Sequence, residues 1–248
     1  MKVLVCISNV PDTTSKINFV ENDTKFDTEG VQFIINPNDE FGLTRAIWLQ
    51  QKQQAEVHVI TVGEVSCEPV LRKCLAIGAQ KAYRIDCPAT DGNAVARELA
   101  AHCKNESYDL IIAGRESIDY NGGMVGGLLA ALLGYDYVTN CIRLDLENST
   151  ATLSREIDGG IEHLEAPLPL VIGAQKGLVE EDDLIIPNMR GIMQARQKPL
   201  EVLPSANVAA TSQIDRFEKP APKGEVQLVD ENDLDTLIEL LHNEAKVI

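Results

Sequence analysis

Between residues 2 and 113, short β-branched apolar runs alternate with stretches whose apolar residues recur at helical spacing, and few folds accommodate that order. KVLVCIS (2–8), EVHVITV (56–62), AYRID (82–86) and YDLIIA (108–113) read as buried strands. A strand covered on both faces needs no polar alternation. NPNDEFGLTRAIWLQQKQQ places Leu43, Ala46 and Ile47 on one helical face, with Asp39 as N-cap. CEPVLRKCLAIGA carries Val70, Leu71, Cys74, Leu75 and Ile77 and stops at Gly78, while GNAVARELAAHCKN carries Val95, Leu99 and Cys103. This β-α-β-α order predicts an α/β fold, a doubly wound and mainly parallel sheet with helices on both faces. Hydrophobic residues form 44% of the 248-residue chain, enough to fill both layers.

After residue 138 the pattern changes. CIRLDLENSTATLSREIDGGIEHLEAPLPLVIGA reads as two or three antiparallel strands turning at ENST and DGG, an antiparallel hairpin addition that ends in a buried strand. KGLVEEDDLIIPNMRGIMQARQKPLEVL has no clear strand period, and 204–224 has the composition of a linker. DENDLDTLIELLHNEAK then aligns Leu234, Leu237, Ile238, Leu240 and Leu241 on one helical face. The expected organisation is a nucleotide-binding α/β domain over 1–203, followed by a linker and a C-terminal amphipathic arm (204–248) that packs on a partner subunit. Packing on its own domain is the alternative.

The charge narrows the function classes. Lys and Arg total 22 against 38 Asp and Glu, a formal net charge of -16, which argues against nucleic acid and anionic membranes as partners. The apolar runs are too short for membrane insertion. Six cysteines without a CxxC pair, and four scattered histidines, favour reduced thiols and no metal. No signal-peptide core follows Met1, so the expected location is cytoplasmic. GxGxxG after the first strand, GxxxxGK[ST] and SGGxDS are all absent, and no nucleophile–base arrangement stands out, so no catalytic side chain is expected.

Ligands of such sheets lie outside the carboxyl ends of the strands, here after Ser8, Val62 and Ala113. The third of these loops is GRESIDYNGG, where Gly122, Gly123, Gly126 and Gly127 lead into a helical LLAALLG. Backbone amides at that helix start suit a phosphate. Asn36 and Asp39 suit either ligand hydrogen bonds or helix capping, and Asp119 and Asn121 either a ribose or base edge or the turn itself.

VCISNVPDTTSKI, INPNDEFGLTRAIWLQ, VLRKCLAIGAQKAYRI, GRESIDYNGGMVGGLLAALLG, REIDGG and IPNMRGIMQARQKPLEV occur in the order seen in electron transfer flavoprotein beta subunits. The resemblance covers about residues 1–203. It implies a heterodimer with an alpha subunit that holds most of a shared redox FAD, while beta binds a buried nucleotide, AMP in respiratory members or a second FAD in bifurcating ones. It implies electron flow from acyl-CoA dehydrogenases and other flavin dehydrogenases to a membrane quinone reductase. A non-redox adenine-nucleotide module is the remaining alternative.

Carried over by position, the cofactor-binding residues are Cys6, Asn36, Pro37, Asn38, Asp39 and Val62. The GRESIDYNGG loop adds Gly114, Arg115, Glu116, Ser117, Ile118 and Asp119, then Tyr120, Asn121, Gly122, Gly123, Met124 and Val125. AMP-binding members usually carry an acidic pair followed by Asn, Gln and Thr in that stretch, whereas Val125 is the residue bifurcating members tend to have. The resemblance also implies two partner contacts. Leu178 would be an exposed leucine docking into dehydrogenases, and Glu156 an acid pairing with an arginine of the flavin domain.

Overall fold

The computed structural model describes residues 1–89, 91–222, 224 and 226–248. The first strand, β1 (Lys2–Cys6), is followed by an excursion holding β2 (Asn9–Pro11), β3 (Phe19–Val20), β4 (Lys25–Phe26) and β5 (Phe33–Ile35). Then come α1 (Pro37–Gln53), β6 (Glu56–Val62), α2 (Glu68–Ile77), β7 (Lys81–Asp86), α3 (Gly92–Cys103), β8 (Leu110–Gly114) and α4 (Val125–Leu133). The second half contains β9 (Asp136–Glu147), β10 (Thr150–Ile157), β11 (Gly160–Pro167), β12 (Leu170–Ala174), α5 (Met189–Ala195), β13 (Leu200–Pro204) and α6 (Leu234–Glu239).

Nine strands form one sheet in the order β11-β10-β9-β12-β8-β1-β6-β7-β13. Seven of them, β9 through β13 in that order, run parallel, and β10 and β11 fold back antiparallel from β9, turning at Asn148 and Gly159. The strand alternation splits the core into two layers. Val3, Val5, Val57, Val59, Leu110 and Ile112 face α1, α2 and α5. Leu4, Cys6, Ile60, Val62 and Ile111 face α3 and α4. Each fully buried Leu, Ile or Val contributes roughly 1.5–3 kcal/mol of transfer free energy, so both layers are needed to hold the sheet.

Three local expectations change. Asp39 lies in the first turn of α1 rather than at its N-cap; Asn36 takes the cap position and Pro37 the first helical position. Pro37 suits that place because its missing N–H would have no helical acceptor. LEVLP, without a period of its own, becomes β13 by pairing with β7 at the sheet edge. The segment 204–224, a linker by composition, is partly tied to the domain by hydrogen bonds; Lys223 within it and Glu225 after it lie outside the described residues. The terminal helix is short, with a π turn over Leu240–Ala245. Among the described residues no helix is long and apolar enough to cross a membrane.

Candidate functional site

Strand β1 sits at the point where the winding reverses. β6, β7 and β13 follow on one side, β8 and β12 on the other. The crevice at such a reversal opens beyond the carboxyl ends of the strands. Cys6, Val62 and Gly114 end the three central strands and lie side by side there. Cys6 is 7% and Val62 8% exposed, forming an apolar floor. Burial pushes the Cys6 thiol well above its usual range, with Cys103 and Asp39 adding to the shift, so it stays protonated and is no nucleophile.

The NPND segment is used to bind the chain to itself. Asp39 Oδ2 accepts from the Ser8 amide at 2.7 Å, and its Oδ1 accepts from Asn36 Nδ2 at 3.0 Å. Asn36 Nδ2 also donates to the Glu116 carbonyl at 2.9 Å, Asn36 Oδ1 accepts from the Ile118 amide at 3.3 Å, and Asn38 Nδ2 donates to Glu116 at 3.1 Å. These contacts tie the loop after β1, the start of α1 and the loop after β8 into one knot. Asn36 and Asp39 are 0% and 2% exposed, so their side chains position the crevice walls rather than project into solvent.

Burial pushes the Asp39 carboxyl up to about 7, against the pull of the Ser8 and Asn36 donors. The folded chain therefore holds this proton more tightly than the unfolded chain, whose ordinary value is 3.8. Stability contributed by the protonated group is present below that lower value and declines as pH rises to about 7. Urea denaturation of the wild type and Asp39→Ala across this range checks it. The stability difference between them is expected to shrink with rising pH, because titrations common to both proteins cancel. A difference that grows with pH would contradict the assignment.

The loop from Arg115 to Met124 carries the rest. The Ser117 amide donates to the Gly122 carbonyl at 3.1 Å, Asn121 has φ of 51°, and Asp119 accepts from Ser117 Oγ and from the Tyr120 amide. Asp119 and Asn121 thus shape the turn. Leu128 is the first residue of α4 whose amide bonds back, to Met124 at 3.0 Å. The amides of Gly123, Met124, Val125, Gly126 and Gly127 have no acceptor among the described residues. Unpaired amides at a helix start carry partial positive charge and suit an anionic oxygen.

A family model for the electron transfer flavoprotein domain matches residues 23–208. The Bacillus subtilis electron transfer flavoprotein subunit beta is 32% identical over 262 aligned residues, covering 100% of both chains. The chain belongs to the electron transfer flavoprotein beta subunit family. The beta subunit of Syntrophomonas wolfei is 32% identical, covering 100% of this chain and 98% of its own. The human beta subunit is 32% identical over 209 residues, 82% of this chain and 81% of its own.

The two partner residues expected of this beta subunit separate in the structure. Leu178 is only 5% exposed and packs in the core layer of α1 and α2, with its amide bonded to Gln175 at 3.2 Å. Its expected exposure as a docking leucine is corrected: Gly177, at φ of 98°, turns the chain so that Leu178 points inward. The exposed apolar side chains lie a little further on, at Ile186, Met189 and Met193, which are 84%, 74% and 67% exposed. Glu156 stands exposed near the end of β10, where it accepts from Gln175 Nε2. With Arg115, Thr139, Asn140, Arg155 and Ile161 it lines an open hollow of about 580 Å³ beside the crevice.

Sequence reasoning missed the residues that hold this region together. Arg84, 5% exposed, donates to the Gly63 carbonyl at 3.0 Å and pairs with Glu68 at 3.1 Å, fixing the turn after Val62. Gln175 joins Arg115 to Glu156. An Arg in the apolar strand AYRID was the available signal, since a charge inside a buried run requires partners.

Proposed function

We propose that the chain pairs with an alpha subunit and carries electrons from flavin dehydrogenases of the acyl-CoA dehydrogenase type to a membrane quinone reductase. The observation that carries this reading is the set of unpaired amides from Gly123 to Gly127, at the winding reversal of a family member. These amides fit the phosphate of a nucleotide, AMP in the first reading, over the apolar floor of Cys6 and Val62. The redox FAD, shared with alpha, supplies the electron transfer; this chain's part is to orient and enclose. Glu156 and Arg115 offer one anionic and one cationic side chain to the flavin side. The apolar face of α6, and the exposed Ile186 to Met193 segment, offer surfaces to alpha and to dehydrogenases respectively.

Co-expression with the alpha subunit, acid release and quantitation of bound nucleotides test the reading. One FAD and one AMP per heterodimer are expected. Two FAD and no AMP would transfer the crevice to a second flavin and the chain to the bifurcating type, a reading Val125 favours. One FAD with no other nucleotide would overturn the crevice assignment.

Gly123→Val gives a sharper test of the backbone cradle. A Cβ at Gly123 would already lie 3.1 Å from the Arg115 carbonyl, so a branched side chain pushes the amides out of line. The variant complex is expected to lose its nucleotide and, with it, about 3 kcal/mol of ligand-linked stability at a hundredfold excess over Kd. Unchanged nucleotide content would exclude a main-chain cradle at this turn.

A further inference from the structure

Residues 205–219 have the composition of a linker, yet they are fastened at three places. The first is Glu98, a 4% exposed carboxylate on α3 that accepts from Ser205 Oγ at 2.7 Å, from the Ala206 amide at 2.8 Å and from the Val208 amide at 3.1 Å. The second is Asp91, which caps α3 through the Ala94 amide and also accepts from the Thr211 and Ser212 amides at 2.5 and 2.9 Å. Those amide donors, Ala94 first and then Ser212, hold the Asp91 carboxyl well below its usual range. The third is Phe217, whose ring stacks on Phe19 with centroids 4.6 Å apart and planes 5° from parallel. Its amide donates to the Asp23 carbonyl at 2.8 Å, and Lys219 Nζ donates to Asn18 at 2.9 Å.

The second and third fastenings follow different strands at the same carboxyl edge of the sheet, Asp91 after β7 and Phe19 and Asp23 after β1, with β6 between those strands. Asp91 precedes Gly92, where an added Cβ would meet Met124 Cγ at 2.8 Å, so the residue next to this anchor lies close against Met124 before α4. Phe19 and Asp23 belong to the excursion that leaves the crevice after Ser8 and returns at Asn36 to begin α1. Five peptide links from Ser212 to Phe217 span at most about 17 Å. The segment therefore runs from the loop after β7 to the excursion after β1, along the carboxyl edge of the sheet where the crevice opens. Two carboxylates receiving charge-assisted hydrogen bonds and a stacked aromatic pair define an ordered path, where a solvated linker has none.

We propose that residues 205–219 form a strap across the mouth of the crevice, latched by the Phe19–Phe217 stack, and that the strap sets how long a nucleotide stays bound. The proposal rests on the nucleotide reading above. Opening requires only the weakest fastening to part, because the crevice walls are held independently by the Asn36–Asp39 knot. Removing the latch raises the release rate and leaves the walls intact.

The test uses the heterodimer with wild-type, Phe217→Ala, Phe217→Trp and Thr211→Pro beta chains. Bound nucleotide is first quantified by acid release. Exchange is then followed by loading radiolabelled AMP and chasing with excess unlabelled AMP, or by FAD fluorescence where acid release finds two flavins. Phe217→Ala is expected to release nucleotide about tenfold faster than wild type, as loss of an aromatic pair implies. Phe217→Trp keeps the stack and the wild-type rate. Thr211→Pro removes the amide donated to Asp91 and accelerates release independently. Rates within twofold of wild type in both Phe217→Ala and Thr211→Pro would overturn the strap while leaving the nucleotide reading intact. A wild-type heterodimer that holds neither AMP nor a second FAD would overturn the nucleotide reading itself, and the strap's retention role with it.

Discussion

Gly114→Ala is expected to lower the melting temperature by about 10 °C and to leave the heterodimer without its second nucleotide. A Cβ at Gly114 would lie 2.2 Å from Asp39 Oδ1, 2.9 Å from Asn36 Nδ2 and 3.0 Å from Asn38 Cβ, three atoms of the same buried knot. None can retreat without breaking a hydrogen bond, because Asp39 holds Ser8 and Asn36 holds Glu116 and Ile118. Overpacking costs about 1–3 kcal/mol and a buried polar group left unpaired about as much again. At roughly 2–4 °C per kcal/mol for a chain of this size, about 4 kcal/mol gives the stated shift. Gly122→Ala is the control, since a Cβ there meets nothing within 4 Å. Thermal unfolding of both variants beside wild type checks this. A Gly114→Ala midpoint no lower than that of Gly122→Ala would remove the knot from the description of the site.

Replacing Leu234, Leu237 and Ile238 together with Ser is expected to weaken association with the alpha subunit by about a thousandfold. These side chains are 63%, 40% and 55% exposed, on a helix of six residues extended by one π turn. Isolated helices shorter than about 12–15 residues are marginal in water, so a helix of this length with an open apolar face gains its stability from a covering surface. Truncating three such side chains removes roughly 4 kcal/mol of burial, which sets the expected change in Kd. Titration of purified alpha subunit with wild-type and variant beta chains measures it. The isolated beta chain should melt unchanged. A lowered midpoint with unaltered Kd would instead place the helix against its own domain.

The parallel half of the fold was legible because its strands are buried on both faces and its helices on one, and those two demands write different periods into the residues. KVLVC and EVHVITV could be recognised alone. LEVLP could not, because an edge strand is specified by its neighbour, here Lys81 to Asp86, and not by its own pattern. At the site, the three strand ends and the glycine turn were visible, since topology places them whatever their side chains are. The roles of Asn36 and Asp39 were not. An NPND segment before a helix reads equally as cap or ligand, and only the arrival of Ser8, Glu116 and Ile118 from elsewhere in the chain shows the Asn36 and Asp39 side chains tying the loops together. Leu178 misled for a related reason: acids beside a leucine suggest exposure, while a single left-handed glycine turned it inward.

One end of the nine-stranded sheet is β11, GIEHLEAP, whose outer side pairs with no strand among the described residues. A bare strand edge is a template on which a second copy of any chain can add hydrogen bonds. Here Glu162 and Glu165 occur along the edge strand, which closes in Pro167, a residue without an N–H to donate. A second chain of net charge -16 laid along this edge would meet its own acids. The molecule thus limits its own growth: the outermost strand completes the sheet and discourages a tenth, which keeps a wide, open-edged β-structure from becoming the seed of a fibre.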